Sequence, residues 1–239
     1  KLHDHQAHYR TDAEEFDYFA PRSGADKDAA RRIQEAVLHC IPISSDGVIC
    51  DLGSGGGWLM EDLADRRDIH IVSVDLGLRN LQRLRERHGD RTLAVVADAA
   101  RLPFRKAAFS CVIASEVLEH CNEPARVVAE THAVLAPAGR LVVSTPYREV
   151  LRYSLCIHCN KPTPQNAHLH SFDEEVLTEM FQAAGFAEPR WFAMQNKVFL
   201  HLRLSPLFRF LPFRIWRVID RLFTFVHTKC HTIVMRAER

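Results

Sequence analysis

A glycine-rich turn near residue 53 constrains the fold of this chain more than any other feature. The segment 48–58 runs Val-Ile-Cys-Asp-Leu-Gly-Ser-Gly-Gly-Gly-Trp, so a short apolar run ends in an acid, and a turn with glycines at 53, 55 and 57 follows before a helical pattern begins. Glycines let the backbone turn sharply and approach a ligand, and the N-terminus of the next helix faces the same place. The pattern predicts a nucleotide-binding β-turn-α unit, although a structural turn or a dinucleotide-binding loop would carry similar glycines.

A second apolar run also ends in an acid. Residues 69–75 (Ile-His-Ile-Val-Ser-Val-Asp) place Asp75 eighteen positions beyond Gly57. An acid at about this distance can accept hydrogen bonds from both ribose hydroxyls of a bound nucleoside. The turn and the acid together therefore predict a nucleoside-binding site at the carboxyl ends of two strands.

Five segments, in order, resemble the motifs of the class I S-adenosylmethionine (SAM) methyltransferases. Residues 51–57 resemble their motif I, Val74-Asp75-Leu76 resembles their ribose-binding acid, and Ala97-Asp98-Ala99 resembles the segment that contacts the adenine amino group. Residues 109–115 resemble their fourth strand. Residues 135–141 resemble the turn before the fifth strand, with an alanine where the family usually has a first glycine.

The resemblance covers residues 47–146 and implies a SAM site. The implied cofactor-binding residues are Asp51, Gly53, Ser54, Gly55, Gly57, Asp75, Leu76, Asp98, Ala99 and Ser115. A dinucleotide-dependent dehydrogenase is the alternative for the same glycines, and the ordered set of motifs disfavours it.

Strand-like and helix-like segments alternate along the chain. The predicted strands are 47–52, 70–75, 92–97, 109–115 and 140–146, and the predicted helices are 26–40, 57–67, 78–88, 123–135 and 173–185. This alternation predicts a parallel sheet with right-handed crossovers and helices on both faces. We therefore predict one α/β domain over residues 1–239, with a Rossmann-like, doubly wound, seven-stranded sheet. The family that the chain resembles has a mostly parallel sheet with an antiparallel last strand, and we expect the same here, with the last strand near residues 231–235.

Composition limits the compartment and the partners. The 239 residues carry a formal net charge of +1, which gives no general attraction to nucleic acid. Seven scattered cysteines, an odd number, do not suggest a disulfide framework, so we predict a reducing, cytoplasmic environment. No run of about 18 uncharged apolar residues occurs, which argues against a membrane-spanning helix. Because the chain starts at Lys1 rather than Met, a targeting segment upstream is compatible with the sequence.

Acceptor-side candidates lie just after the predicted fourth strand. Methyl transfer from a sulfonium depends mainly on alignment, and it needs a base only where the nucleophile is protonated. Glu116, Glu119 and His120 fall within one helical turn and could share a hard cation. The run resembles the Glu-x-x-Glu-His element of metal-assisted O-methyltransferases, in which a distant histidine, here His168 or His170, completes the site. Many metal-free relatives carry a similar run, and we favour that interpretation, with His120 and His168 as catalytic residues.

A Cys-x-x-Cys pair and a His-x-His pair predict a different metal site. The first pair places two thiolates on one turn, and the second, in extended chain, aims both rings to one face. Two sulfurs and two imidazoles suit tetrahedral zinc, so the second candidate is Cys156, Cys159, His168 and His170, within a predicted insertion at 150–172. The alternatives are two reduced thiols and a histidine that faces substrate. Both metal sites use the same histidines, so they are not expected to be complete together.

Two further segments lie outside the motifs. Residues 1–40 are predicted to form an N-terminal arm and a helix, either solvated or closing the site as a lid with aromatics such as Tyr9 or Tyr18. Residues 203–229 are predicted to form a basic amphipathic insertion, with Ile215, Trp216, Ile219, Leu222, Phe223 and Val226 on one helical face and Arg217, Asp220 and Arg221 opposite. The apolar face either packs on the core or forms a lid or a peripheral membrane contact through residues 205–226. Nucleic-acid binding is disfavoured, because the arginines are spread thinly.

The function predicted from these features is SAM-dependent methyl transfer to an oxygen or nitrogen of a small-molecule acceptor, lipid-linked acceptors included. The chain has no Asn-Pro-Pro-Tyr or Asp-Pro-Pro-Tyr after the fourth strand, which disfavours methylation of an exocyclic base nitrogen. The alternatives are RNA ribose 2′-O-methylation and a non-catalytic SAM-binding module that serves a partner. SAM is the expected cofactor, with zinc as a second candidate.

Overall fold

The structure, a computed structural model, describes residues 4–20, 24–42, 47–66, 68–198, 202, 205–226 and 228–239. Within these ranges the helices are α1 (His5–Glu15), α2 (Gly24–Cys40), α3 (Trp58–Asp62), α4 (Leu78–His88), α5 (Pro124–Val134), α6 (Glu174–Ala183) and α7 (Phe213–Val226). The strands are β1 (Val48–Leu52), β2 (His70–Asp75), β3 (Thr92–Val96), β4 (Phe109–Ser115), β5 (Leu135–Pro146), β6 (Tyr153–Leu155), β7 (Pro162–Pro164), β8 (Ala187–Asn196) and β9 (Cys230–Glu238). Parts of the predicted segments 1–40 and 203–229 lie outside the described residues, namely 1–3, 21–23, 203, 204 and 227.

Seven strands form one sheet in the order β3-β2-β1-β4-β5-β9-β8. The strands from β3 to β5 are parallel, and β9 runs antiparallel to both of its neighbours. Central strands such as β1 and β4 are almost continuous apolar runs, because helices cover both faces of the sheet. The predicted Rossmann-like, doubly wound sheet with an antiparallel last strand is confirmed.

Two apolar clusters fill the two faces of this sheet. One joins the strands to α5 and α6 through side chains such as Leu177 and Phe181. The other joins them to α2, α3 and α4 through side chains such as Leu59 and Leu84. Because the parallel strands share a direction, their carboxyl ends meet at one edge, and that is where ligands of such sheets bind.

Two of the predicted boundaries given above differ from the structure by more than three residues. The helix expected over 57–67 ends at Asp62, because several backbone hydrogen bonds beyond it span three residues rather than four. Strand β5, expected from residue 140, begins at Leu135. Its turn residue Ala138 has a φ of 59°, the left-handed conformation for which a glycine at this turn is suited. Neither difference moves the carboxyl edge of the sheet.

Two insertions lie outside the seven-stranded sheet. Strands β6 and β7 pair as an antiparallel hairpin within 150–172, and the turn that joins them carries Cys156 and Cys159. Helix α7 lies between β8 and β9 in the chain. All seven cysteines are free thiols. In the part of the chain that the structure describes, no helix is long and apolar enough to cross a membrane.

Helix α7 does not pack on the domain through its predicted apolar face. Trp216 is buried, but Ile215 and Leu222 are exposed, whereas Asp220 is fully buried. The Asp220 carboxylate accepts hydrogen bonds from the backbone N–H groups of Gln195 (3.2 Å) and Asn196 (2.8 Å) at the end of β8. These contacts turn the helix by roughly a third of a turn from the orientation that apolar periodicity suggests. The side chain of Val226 lies outside the described part of the chain.

Candidate functional site

The turn after β1 has the conformation that its glycines predict. Gly53, Gly55 and Gly57 have φ angles of 70°, 47° and 74°, all in the left-handed region. A Cβ at Gly57 would lie 1.9 Å from Cδ1 of Leu84, so this position has no room for a side chain. The Gly53 N–H donates to the Val74 carbonyl at 2.7 Å. The turn is therefore tied to the end of β2 at the carboxyl edge of the sheet.

Asp75 ends β2 beside this turn. Its Oδ2 accepts a hydrogen bond from the Gly55 N–H at 2.8 Å, and its Oδ1 accepts one from the Gly77 N–H at 2.7 Å. Burial raises the pKa of Asp75, and the two amide hydrogen bonds oppose that rise. The carboxylate joins two loops and lines the cleft, which is where a ribose-binding acid has to lie.

Helix α1 lies over the cleft and is held at Asp98. His5 Nε2 donates to Asp98 Oδ2 at 2.9 Å, the Gln6 amide donates to the same oxygen at 3.0 Å, and the Ala100 N–H donates to Oδ1 at 2.9 Å. The Asn122 amide lies 3.1 Å from Nδ1 of His5 and can donate to it, which fixes the tautomer. Burial alone would raise the pKa of Asp98, but these hydrogen bonds together lower it below its ordinary value. The N-terminal segment therefore covers the end of the cleft where Asp98 lies.

The cleft between these elements has a volume of about 470 Å³, a size suited to a nucleoside-containing ligand. The sequence-predicted residues that line it are Gly53, Gly55, Asp75, Leu76, Asp98, Ala99 and His120. Tyr9 and Asp12 of α1 line it from above, and Glu116 and Val117 line it from the segment after β4. Six of the ten predicted cofactor residues and one predicted catalytic histidine therefore share a single cleft.

The other predicted cofactor residues, Asp51, Ser54, Gly57 and Ser115, lie behind this lining. Asp51 is buried, and its Oδ2 has no hydrogen-bond partner among the described residues. Burial, and then the charge of Asp75, raise the pKa of Asp51 to about 7. The Ser115 hydroxyl lies 2.9 Å from that of Ser144, so it is engaged inside the sheet. In this structure these four residues do not line the cleft.

A group of potential metal ligands includes His120, which lines the cleft. Glu119, His120 and His168 each offer one ligand atom, and these atoms lie within 4.8 Å of one another. Glu119 is buried, and its Oε2 accepts a hydrogen bond from the Thr145 hydroxyl at 3.0 Å. Its Oε1 has no such partner in the described part of the chain. Burial, and then the neighbouring Glu116, raise the pKa of Glu119 well above its ordinary value.

The two predicted catalytic histidines are in contact. The ring centroids of His120 and His168 are 4.9 Å apart, and the ring of Tyr9 lies 5.9 Å from that of His120. His168 Nδ1 lies 2.5 Å from the Glu149 carboxylate, and His120 Nδ1 lies 3.4 Å from the Ala167 carbonyl. Burial, and then His168, lower the pKa of His120 to about 4, so its ring is neutral at physiological pH. With both Nδ1 atoms engaged by oxygen, Nε2 is the basic nitrogen of each ring.

The predicted set of Cys156, Cys159, His168 and His170 is not assembled in this structure. The four do not form a group with donor atoms within 4.8 Å of one another, although all four lie in the described ranges. His168 contacts Glu149, and His170 Nε2 donates to the Cys121 carbonyl at 2.9 Å. The hairpin carries the two thiols away from these histidines, so a zinc site of these four residues has no support from the structure.

Three residues of the site have no signal in the sequence. Glu149 pairs with His168 across nineteen positions, and Asn122 contacts His5 across 117 positions. Tyr9, expected only as a lid aromatic, has a buried hydroxyl with no partner among the described residues. Burial raises the pKa of Tyr9, which keeps the hydroxyl protonated and able to donate. Sequence separation alone hides such contacts, since no local spacing connects these residues.

Comparison with known proteins gives one family match and several relatives. A family model described as a methyltransferase domain matches residues 50–143. A ubiquinone biosynthesis O-methyltransferase from Xylella fastidiosa (strain 9a5c) is 33% identical over 124 residues, which are 49% of this chain and 48% of that protein. A demethylmenaquinone methyltransferase from Clavibacter sepedonicus is 30% identical over 167 residues, which are 61% of this chain and 67% of that protein. The chain thus spans about half the length of the Xylella relative.

Among solved structures, an S-adenosylmethionine dependent methyltransferase from Mesorhizobium loti is similar, with a TM-score of 0.64. The two are 16% identical, and the superposition covers 89% of this chain and 100% of that chain. At this identity the likeness supports the fold alone.

Proposed function

This chain belongs to the class I SAM-dependent methyltransferases, and from that premise we propose that it transfers the SAM methyl group to an oxygen or nitrogen of a small-molecule acceptor, lipid-linked acceptors included. The observation that carries the proposal is the single cleft in which the glycine turn and Asp75 meet His120. Relatives named for quinone biosynthesis support an acceptor of this kind.

Methyl transfer is a displacement in which an acceptor lone pair attacks the methyl carbon while the carbon–sulfur bond breaks. Holding the two reactants in line supplies most of the acceleration, and a hydroxyl acceptor must also lose its proton. We propose that His120 accepts this proton from the hydroxyl, because its neutral ring lines the cleft. The charge that His120 then carries is opposed by burial and by the neighbouring His168, and it is favoured by the Ala167 carbonyl and by the carboxylates of Asp12 and Glu149.

The same residues fit a divalent cation. The Glu119 Oε1 atom is buried without a hydrogen-bond partner in the described ranges, and a cation would satisfy it. One carboxylate and two imidazoles are a donor set that suits zinc or manganese. Such an ion, when bound by Glu119, His120 and His168, would polarise an acceptor hydroxyl and lower its pKa. This metal-assisted form is the second version of the proposal, and it replaces the Cys/His set as the place for zinc.

Two experiments on the cofactor test the proposal. Calorimetry should detect binding of SAM and of its demethylated product. Asp75→Ala removes a charge-assisted contact worth about 1.5–3 kcal/mol, so SAM affinity should fall by about tenfold or more. Because Asp75 also accepts the Gly55 and Gly77 amides, Asp75→Asn and a thermal melt separate loss of ligand contact from loss of fold. Asp90→Ala, at an exposed position, is the matched control. Unchanged SAM affinity in Asp75→Ala, or tighter binding of NAD, would contradict the assignment.

The acceptor is identified by measuring how much demethylated SAM forms with each member of a panel of quinol, sugar, lipid and RNA acceptors. His120→Gln should remove turnover and leave SAM affinity unchanged. Elemental analysis and the effect of a chelator on turnover distinguish the metal-assisted form from the metal-free one. Methyl transfer to RNA alone would favour the ribose methyltransferase alternative, and SAM binding without turnover on any acceptor would favour the non-catalytic module.

A further inference from the structure

Helix α7 is fixed to the domain by its polar side chains. Asp220 is fully buried and accepts the Gln195 and Asn196 amides, while Arg217 donates to the Ala193 carbonyl at 3.0 Å and to Asp220 at 3.0 Å. Trp216 is buried beside them, with the guanidinium of Arg32 placed 4.9 Å from its ring. The inward face therefore includes an aromatic ring, a carboxylate and a guanidinium.

The outward face of the same helix is apolar. Ile215, Val218, Leu222 and Phe225 are 52%, 59%, 64% and 91% exposed. Their spacing of three, four and three residues places them on one stripe of the helix. Leu207 and Phe210, just before the helix, are exposed as well. We call these six side chains the α7 surface.

This arrangement is the reverse of an ordinary surface helix, which buries its apolar stripe and exposes its polar one. Single exposed apolar residues are common in soluble proteins, whereas contiguous apolar patches mark contact surfaces. The inward polar contacts hold the stripe outward, because rotating the helix to bury it would remove Asp220 from two amide donors. The α7 surface is thus held in a position where it meets whatever lies outside the domain.

The exposed charged residues within 205–226 are all arginines. Arg209, Arg214 and Arg221 are exposed. Arg214 and Arg221 each precede a member of the stripe, Val218 or Phe225, by four residues, so they lie along one edge of it. The one acid in residues 205–226 is Asp220, which is buried. Within residues 205–226, the outward face therefore combines apolar side chains with arginines and has no exposed acid.

We propose that the α7 surface docks on an anionic lipid membrane. Apolar side chains on an interfacial helix enter the headgroup and acyl boundary, and flanking arginines contact anionic headgroups. A second copy of the chain fits less well, because a two-fold contact would oppose the same arginines on both sides. The segment that carries the surface leaves the end of β8 and returns at the start of β9, at the sheet edge that carries the cleft. The proposal goes beyond the proposed methyl transfer and does not require it.

Vesicle co-sedimentation of the full chain tests the proposal. We expect binding to vesicles of phosphatidylcholine mixed with phosphatidylglycerol, weak binding to phosphatidylcholine alone, and loss of binding at high salt. The double variant Leu222→Ser, Phe225→Ser should lower the partition coefficient by about tenfold or more, since both side chains would otherwise enter the lipid. Arg214→Gln with Arg221→Gln should lower it by about tenfold on anionic vesicles. Leu93→Ser, at an equally exposed leucine on β3, is the matched control and should change nothing.

A SAM titration and a thermal melt of each variant accompany the assay. Exposed positions should leave both unchanged, so a failure of membrane binding is distinguishable from a failure of the cofactor site. Absence of vesicle binding in a folded, SAM-binding parent chain would overturn the proposal. A dimer in sedimentation equilibrium that the Leu222→Ser, Phe225→Ser variant dissociates would also overturn it, in favour of a contact between copies.

Discussion

Substitutions in α7 test its orientation, which the sequence and the structure describe differently. In Asp220→Ala the Gln195 and Asn196 amides lose their buried acceptor, and Arg217 loses its carboxylate partner. Each orphaned amide costs about 1–3 kcal/mol, and breaking a fully buried ion pair costs about 3–5 kcal/mol. Because Arg217 is partly exposed, solvent screens its share of the loss. We expect the free energy of unfolding to fall by about 3–5 kcal/mol in total.

Leu222→Ala tests the outward face of the same helix. If α7 is oriented as the structure has it, this exposed leucine contributes little, and the substitution should change the free energy of unfolding by about 0.5 kcal/mol or less. Had the apolar stripe been buried, the same change would cost about 2–5 kcal/mol. Urea denaturation followed by circular dichroism measures both variants, with Arg221→Ala as an exposed control beside Asp220. A large loss in Leu222→Ala together with a small one in Asp220→Ala would refute the orientation.

Three further predictions concern the cleft and the thiols. Burial raises the pKa of Asp51 to about 7 in the folded chain, whereas the same carboxyl in the unfolded chain loses its proton near pH 4. Between these two pH values the folded chain binds one more proton than the unfolded chain, so the free energy of unfolding falls as the pH rises from about 4 to 7. Denaturation at several pH values should therefore show Asp51→Asn gaining stability over the parent across that range. Gly57→Ala should lower the free energy of unfolding by about 1–3 kcal/mol, because the new Cβ meets Leu84, and a urea titration measures it. Backbone N–H groups of Cys159 and His158 lower the pKa of the Cys156 thiol. Burial raises the pKa of five other thiols, those of Cys40, Cys50, Cys111, Cys121 and Cys230. Mass spectrometry after alkylation should therefore find Cys156 modified before these five.

The cofactor half of the site was accessible from the sequence because its determinants are local. Gly53, Gly55 and Gly57, which all have positive φ, form one turn, and the length of a β-turn-α unit places Asp75 beside it. The histidine-containing half of the site was predictable only in part. His120 and His168 were both proposed, but the sequence offered two sets of partners for His168, and only the fold brings Glu149 to its ring.

The orientation of α7 and the position of the two thiols depend on contacts that local patterns do not contain. Helical periodicity identifies which residues of α7 share a face, but which face turns inward depends on two amides at the end of β8. The Cys-x-x-Cys pair was expected to meet His170 on the strength of ligand spacing. The hairpin instead takes the thiols to its own turn, while a backbone hydrogen bond from Leu169 to the Glu119 carbonyl, 2.7 Å long, ties the His-x-His segment to the cleft.

Asp98 links the N-terminal helix to the cofactor site. The family resemblance assigns this carboxylate to the adenine amino group, and in the structure it also holds His5 and Gln6 of α1. An ionised carboxylate offers about four lone-pair positions. His5, Gln6 and the Ala100 amide use three of them, which leaves one for a donor on a bound nucleotide. Asp98 can therefore bind helix α1 and the nucleotide at the same time, so α1 can remain closed over an occupied cleft. Hydrogen bonds from α1 favour the ionised form of Asp98, and the nucleotide donor needs that same form.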